Sequence, residues 1–213
     1  MIIDCHGHYT TTPPQVEAYR NDQRALLAKD PNHLFTKGDV KISDDEIRES
    51  IANNQLKLQQ DRGTDLTIFS PRASWMGHDL GNASTSQAWT ELCNDLIRRV
   101  CDLFPDNFVP VCQLPQSPET SLENSIAELS RCVEEMGFIG SLGLIGLYVG
   151  LIIAIFLVAR EVKTQFSRLL VSGLAVSLFL YLFVDLAMVM GLAPVVGVPL
   201  PFVSYGGTSL ITF

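Results

Sequence analysis

The sequence predicts two structural classes in one chain: an α/β arrangement of about three βα units, then an all-α transmembrane segment. Three observations carry this. Of the 15 Lys and Arg, 12 precede position 138, and of the 23 Asp and Glu, 21 do, leaving the first part at −9 and the second at +1. All four histidines and all five cysteines lie in the first part as well. Apolar residues there recur at strand and helix spacings, whereas the second part holds long runs without any charge. A water-bounded region and a lipid-bounded one are therefore expected side by side, as domains 1–137 and 138–213.

Residues 2–5 read as a short strand, and residues 15–28 as a first helix. Ser43-Asp44-Asp45-Glu46 is a capping box, in which the serine oxygen and the glutamate three residues on satisfy exposed backbone N–H groups; Gly63 stops the helix it opens. Residues 65–70 form a second apolar strand, ended by Pro71. Trp89, Leu92, Cys93, Leu96, Ile97, Val100, Cys101 and Phe104 then recur at spacings of three and four, a continuous buried helical stripe. Residues 108–114 give a third strand. Pro118, after Ser117 as cap, opens a last helix with Leu122, Ile126, Leu129, Val133 and Met136 on one face, and Gly137 closes it. Strands alternating with helices imply parallel pairing through right-handed crossovers.

Composition excludes some roles. An acidic first part argues against nucleic acid as a partner. An odd number of cysteines, three of them inside expected helices, fits reduced and mostly buried thiols better than a disulfide framework. No basic stretch leads into an apolar run at the start, so no secretory signal is expected and the first part reads as cytosolic.

The chemistry-bearing motif is Asp4-Cys5-His6-Gly7-His8. At the carboxyl end of a strand, residues i and i+2 point to one side, so His6 and His8 can offer imidazole nitrogens to one divalent metal, with the intervening glycine letting the backbone approach it. An isolated His-x-His reads more readily as two loop histidines, and position shifts the balance toward the metal reading because barrel enzymes place ligands at that end. Arg72, just past the end of the second strand, suits a substrate carboxylate and reads equally as a surface arginine; Ser70 can add a hydrogen bond there, although a serine ending a strand more often starts a turn. His33 and His78 read as solvated loop residues, Trp75 and Trp89 as packing residues.

Four blocks in order, Ile3 to Thr10, Ser43 to Ile47, Thr67 to Ser74 and Leu114 to Pro118, resemble the amidohydrolase-2 family, over residues 1–140. The resemblance implies a (β/α)8 barrel, here partial, holding one zinc ion or another divalent metal and adding water across a double bond of a small polycarboxylate from aromatic-ring degradation. His6 and His8 correspond to its first metal ligands. The family draws its remaining ligands and base from later strands. Three units cannot close a barrel, so open sheet edges, weak metal binding and loss of activity are expected.

In the second part, 138–159 is a run of 22 residues without charge, about 33 Å long as a helix against a hydrocarbon core of about 30 Å. Residues 169–190 form a second span broken only by Asp185, and the three prolines at 194, 199 and 201 make 191–209 a loop or re-entrant segment. Pro194, Gly197, Pro199, Pro201, Ser204, Tyr205, Gly206 and Gly207 resemble the signature of the shape, elongation, division and sporulation (SEDS) family, over 134–213. The resemblance implies a multi-pass glycosyltransferase of the inner membrane acting on a lipid-linked peptidoglycan precursor. Arg160, Lys163 and Arg168 should face the cytosol, which puts the first part outside, in conflict with its composition. Residues 134–140 fit both resemblances, so a recombination or assembly join through that stretch accounts for both. A non-enzymatic membrane-tethered module is the third reading.

Overall fold

Three strands, Ile3–His8 (β1), Leu66–Ser70 (β2) and Phe108–Pro110 (β3), pair in parallel in the order β1-β2-β3. The computed structural model describes residues 2–38, 40–72, 80–117, 122–138 and 140–189, which fall in two compact units, Met1–Gly140 and Ser141–Phe213.

In the first unit, helix α1 (Pro14–Lys29) follows β1. Helix α2 (Asp44–Ile51) opens on the expected capping box: Ser43 Oγ accepts from the Glu46 N–H at 3.2 Å, and the Ser43 N–H donates to Glu46 Oε2 at 2.7 Å. The helix does not run straight to its stop. A π-helical turn (Ala52–Leu56) precedes α3 (Lys57–Asp61), and Gly63 ends the segment with φ of 64°. Helix α4 (Ala83–Leu103) carries the predicted stripe, and its residues from Trp89 to Cys101 are buried with Ile47, Ile51, Phe69 and Phe108 in one core. Within β2 the buried Thr67 and Phe69 face that core, while Leu66, Ile68 and Ser70 between them are only half-buried. One face of the sheet is thus covered by helices and the other is more open.

Two expectations need correction. The third strand ends at Pro110 rather than at residue 114; past it, the Val111 N–H still donates to the Phe69 carbonyl, and the Gln113 N–H turns to Asn94 Oδ1 at 3.0 Å. Side-chain capture of the backbone by α4 replaces the ladder. The last helix, α5 (Glu123–Ser130) continued by a π-helical turn (Arg131–Glu135), does not bury the predicted face: Ile126 is 62% exposed, and Ser125, Glu128 and Cys132 point inward. Glu128, 1% exposed, accepts from Asn94 Nδ2 and from Arg131 Nη2, each at 2.7 Å, while Arg131 also reaches Asp95 at 2.8 Å. A charge so buried must be paired, and this network sets the helix's rotation instead of apolar spacing. The predicted start at Ser117-Pro118 falls partly outside the described residues.

Cys93, Cys101 and Cys132 are buried and Cys112 is half-buried, and none of the four is in a disulfide. Burial pushes Cys101 up to about 12. His33 is half-buried with its ring edge on Phe35, and Trp89 is a core residue with the Arg20 guanidinium over its face at 4.9 Å. His78 and Trp75 lie outside the described residues.

The second unit contains α6 (Gly140–Glu161) and α7 (Gln165–Val189). Tyr148 and Ile152 of α6 share a small cluster with Leu178 and Leu182 of α7, while Phe166, Leu169 and Phe183 remain exposed. Among the described residues one helix, over Gln165–Val184, is long and apolar enough to cross a membrane.

Candidate functional site

The carboxyl end of β1 lies beside that of β2, and the two are joined by more than the ladder. Register runs Ile3 to Leu66 and Asp4 to Thr67, then Gly7 to Phe69 and His8 to Ser70, so β1 carries one extra residue at positions 5–6. Simple alternation cannot be counted through this bulge, a device that re-aims side chains next to sites. His6 lies in it; the side chain of His6 is outside the described residues. Gly7 is required for packing: a Cβ there would stand 2.3 Å from Thr67 Cγ2.

His8 and Ser70 are brought together. The Ser70 hydroxyl lies 2.6 Å from His8 Nδ1 and 3.1 Å from the Gly7 carbonyl, and the Pro71 carbonyl is 3.2 Å from the same nitrogen. Two oxygen partners at Nδ1 direct any donation by this imidazole to a ligand through Nε2, the arrangement by which outer partners orient metal-binding histidines. Arg72 is half-buried and lines a small pocket with Tyr9, Trp89 and Cys93. Tyr9 is buried against Phe69, its ring 5.8 Å away, and burial pushes its phenol up to about 12, opposed by the hydrogen bond to Ser50 and the charge of Arg99.

Sequence reasoning passed over Ser50 and Gln55. Both reach the segment after β1, and both line, or lie next to residues lining, a cleft of about 490 Å³ with His8, Thr10 and Thr11. On a regular helix these two positions stand roughly 140° apart, so no α-helical pattern pairs them; only the weak helix formers Asn53 and Asn54 between them hint at irregularity. The signature residues Pro194, Gly197, Pro199, Pro201, Ser204, Tyr205, Gly206 and Gly207 lie outside the described residues.

A parallel βα sheet with a histidine held at the carboxyl ends of its first two strands defines the class: an α/β protein whose polar site sits where such folds place ligands. Residues 3–168 match the profile of the Amidohydrolase family, and residues 128–213 match that of the FtsW/RodA/SpoVE cell cycle proteins. The chain belongs to the amidohydrolase family, with a segment of the second family following in a chimera-like arrangement. It is 54% identical over 141 residues to a 2-keto-4-carboxy-3-hexenedioate hydratase of Sphingobium sp. (strain NBRC 103272 / SYK-6), covering 66% of this chain and 40% of that protein. A crystal structure of 4-oxalomesaconate hydratase from Rhodopseudomonas palustris superposes with a TM-score of 0.57 at 47% identity, over 65% of this chain and 41% of that one. The peptidoglycan glycosyltransferase MrdB of Escherichia coli (strain K12) is 46% identical over 99 residues, 46% of this chain and 26% of its own length. The chain thus spans well under half the length of each.

The family generally uses a divalent metal. Among the described residues no group of three or more His, Cys, Asp or Glu side chains converges to hold one. His8, with its Nδ1 held by oxygen partners, fits as one donor, but a catalytic site takes three protein ligands. The fit is partial.

Proposed function

We propose that residues 1–137 are the metal-bearing first part of a hydratase of the amidohydrolase type, inactive as it stands, and that residues 138–213 anchor it in a membrane. The observation that supports this best is the His8 imidazole held through Nδ1 by Ser70 and Pro71, in a stretch 54% identical to a hydratase of which the chain covers 40%. His6 and His8 would hold zinc or another divalent cation weakly, and such a cation supplies Lewis acidity when bound. Ser70 orients His8. Arg72 presents a guanidinium fork to a carboxylate of a small polycarboxylate substrate. With three strands the sheet is part of a (β/α)8 barrel, and the ligands and base that complete hydration belong to strands beyond β3.

The test pairs zinc titration of the full chain in detergent with a hydration assay on 2-keto-4-carboxy-3-hexenedioate. Weak zinc binding without turnover is expected; stoichiometric tight zinc with turnover would overturn the inactivity.

A second reading rests on the tail, whose similarity to MrdB supports an inner-membrane fragment of a peptidoglycan polymerase with spans at 138–159 and 169–190. Carbonate-resistant membrane fractionation tests the anchor, and restoration of rod shape in a depleted strain tests the activity. The matches to the two families overlap at 128–168, which supports a join near residues 134–140. Long sequencing reads across codons 130–145 test whether the join exists in a genome.

A further inference from the structure

We propose that Gln55 is a positioning residue for the His8 segment, and that the π-helical turn at Ala52–Leu56 exists to present it; this rests on the metal reading above. The chain leaving β1 is held from two sides. From the sheet, the Tyr9 N–H donates to the Ser70 carbonyl at 2.9 Å, and the Ser70 hydroxyl engages Gly7 and His8. From the helical segment, Gln55 uses both ends of its amide at once: Oε1 accepts from the Thr11 hydroxyl at 2.7 Å, and Nε2 donates to Thr10 Oγ1 at 3.0 Å. Ser50 adds to this grip. Its hydroxyl lies 2.5 Å from the Tyr9 hydroxyl, and its carbonyl is 3.2 Å from Thr11 Oγ1.

The wide turn is what makes the grip possible. A straight helix would carry Gln55 roughly 140° around from Ser50, and the extra residue in the circuit returns both to the side that faces Tyr9, Thr10 and Thr11. Gly7, packed on Thr67, leaves the strand end no room to retreat toward β2. A ligand imidazole needs its ring placed within a fraction of an ångström, and residues outside the coordination sphere supply that placement. Gln55 therefore acts on the imidazole through Thr10 and Thr11, and through the His8 carbonyl, 3.5 Å from its Nε2.

The test uses the full chain in detergent with cobalt(II) as the probe. Gln55→Leu keeps the bulk and removes the amide's hydrogen bonds; Gln55→Glu keeps the Oε1 acceptor for the Thr11 hydroxyl and replaces the Nε2 donor by a second acceptor, to which the Thr10 hydroxyl can donate. Gln55→Leu is expected to weaken cobalt(II) binding about tenfold and to speed amide exchange at residues 9–11, with the exchange of α4 unchanged. Gln55→Glu should restore most of both. If His8→Ala weakens cobalt(II) binding and Gln55→Leu does not, the positioning role is overturned while the metal reading stands. If His8→Ala binds cobalt(II) as the native chain does, the metal reading fails, and the positioning role falls with it; unchanged exchange at residues 9–11 in Gln55→Leu would show separately that Gln55 does not hold the segment.

Discussion

The first unit buries its apolar side chains and the second displays them, although both are helical over much of their length. In α4 the apolar residues form one stripe, and the stripe from Trp89 to Cys101 is buried. In α6 and α7 apolar residues surround the helix; among the described residues Tyr148, Ile152, Leu178 and Leu182, with Ile155 against them, form a small shared cluster, and Phe166 is 77% exposed. A helix with a polar face needs only a protein neighbour, whereas one apolar all round needs a second apolar environment, either a large core or lipid. The contrast teaches that packing within its own unit accounts for the apolar side chains of the first part and not for those of the second.

The comparison breaks most readily in the core. Phe69→Ala removes a ring that contacts Tyr9 and Phe108, the latter at 4.7 Å, and should cost about 3–5 kcal/mol. Both tryptophans lie in the first unit, so their fluorescence in urea reports its unfolding alone. Phe183→Ala, at a ring 57% exposed in α7, should leave that transition in place. A charge discriminates the two regions in the opposite sense. Leu178→Lys opposes membrane insertion by about 3 kcal/mol and should lower the carbonate-resistant fraction several-fold, whereas Ile126→Lys on the exposed face of α5 should leave that fraction unchanged.

Alkaline pH sharpens the comparison further. Tyr9 is held up to about 12 against 10.0, and Cys101 to about 12 against 9.0, both by burial. The unfolded chain releases these protons first, so their contribution is whole below pH 9 and is lost progressively as pH rises to 12. Tyr9 alone accounts for on the order of 2 kcal/mol, read as a falling urea midpoint of the tryptophan transition. The smallest effect is local: Ser43→Ala removes the cap of α2 and should cost about 1 kcal/mol by the same measurement.

Legibility followed the range of the interactions. Ser43 and Glu46 are three residues apart and satisfy each other, so the start of α2 could be read directly. The stripe of α4 was legible because its spacing is its mechanism. The face of α5 was not, because Glu128 is buried by Asn94, 34 residues earlier, and that partnership overrides Ile126, Leu129 and Val133. At the site, His8 and Ser70 were each visible as candidates at strand ends. Their contact was not, because it depends on a parallel register with a bulge between Asp4 and Gly7.

The sequence by itself determined the division of the chain: histidine and cysteine are confined to the part before position 138 and most of the charge lies there, and no folding is needed to see that the uncharged runs after it differ in kind. It also determined the order of strands and helices, since period and caps act over a few residues. Only the tertiary structure decided what holds the end of β1, by bringing Ser70 from one side and Ser50 and Gln55 from the other across about 40 to 60 residues of chain. Such contacts rest on register and on a π-helical turn, which arise from packing and leave no period in the sequence.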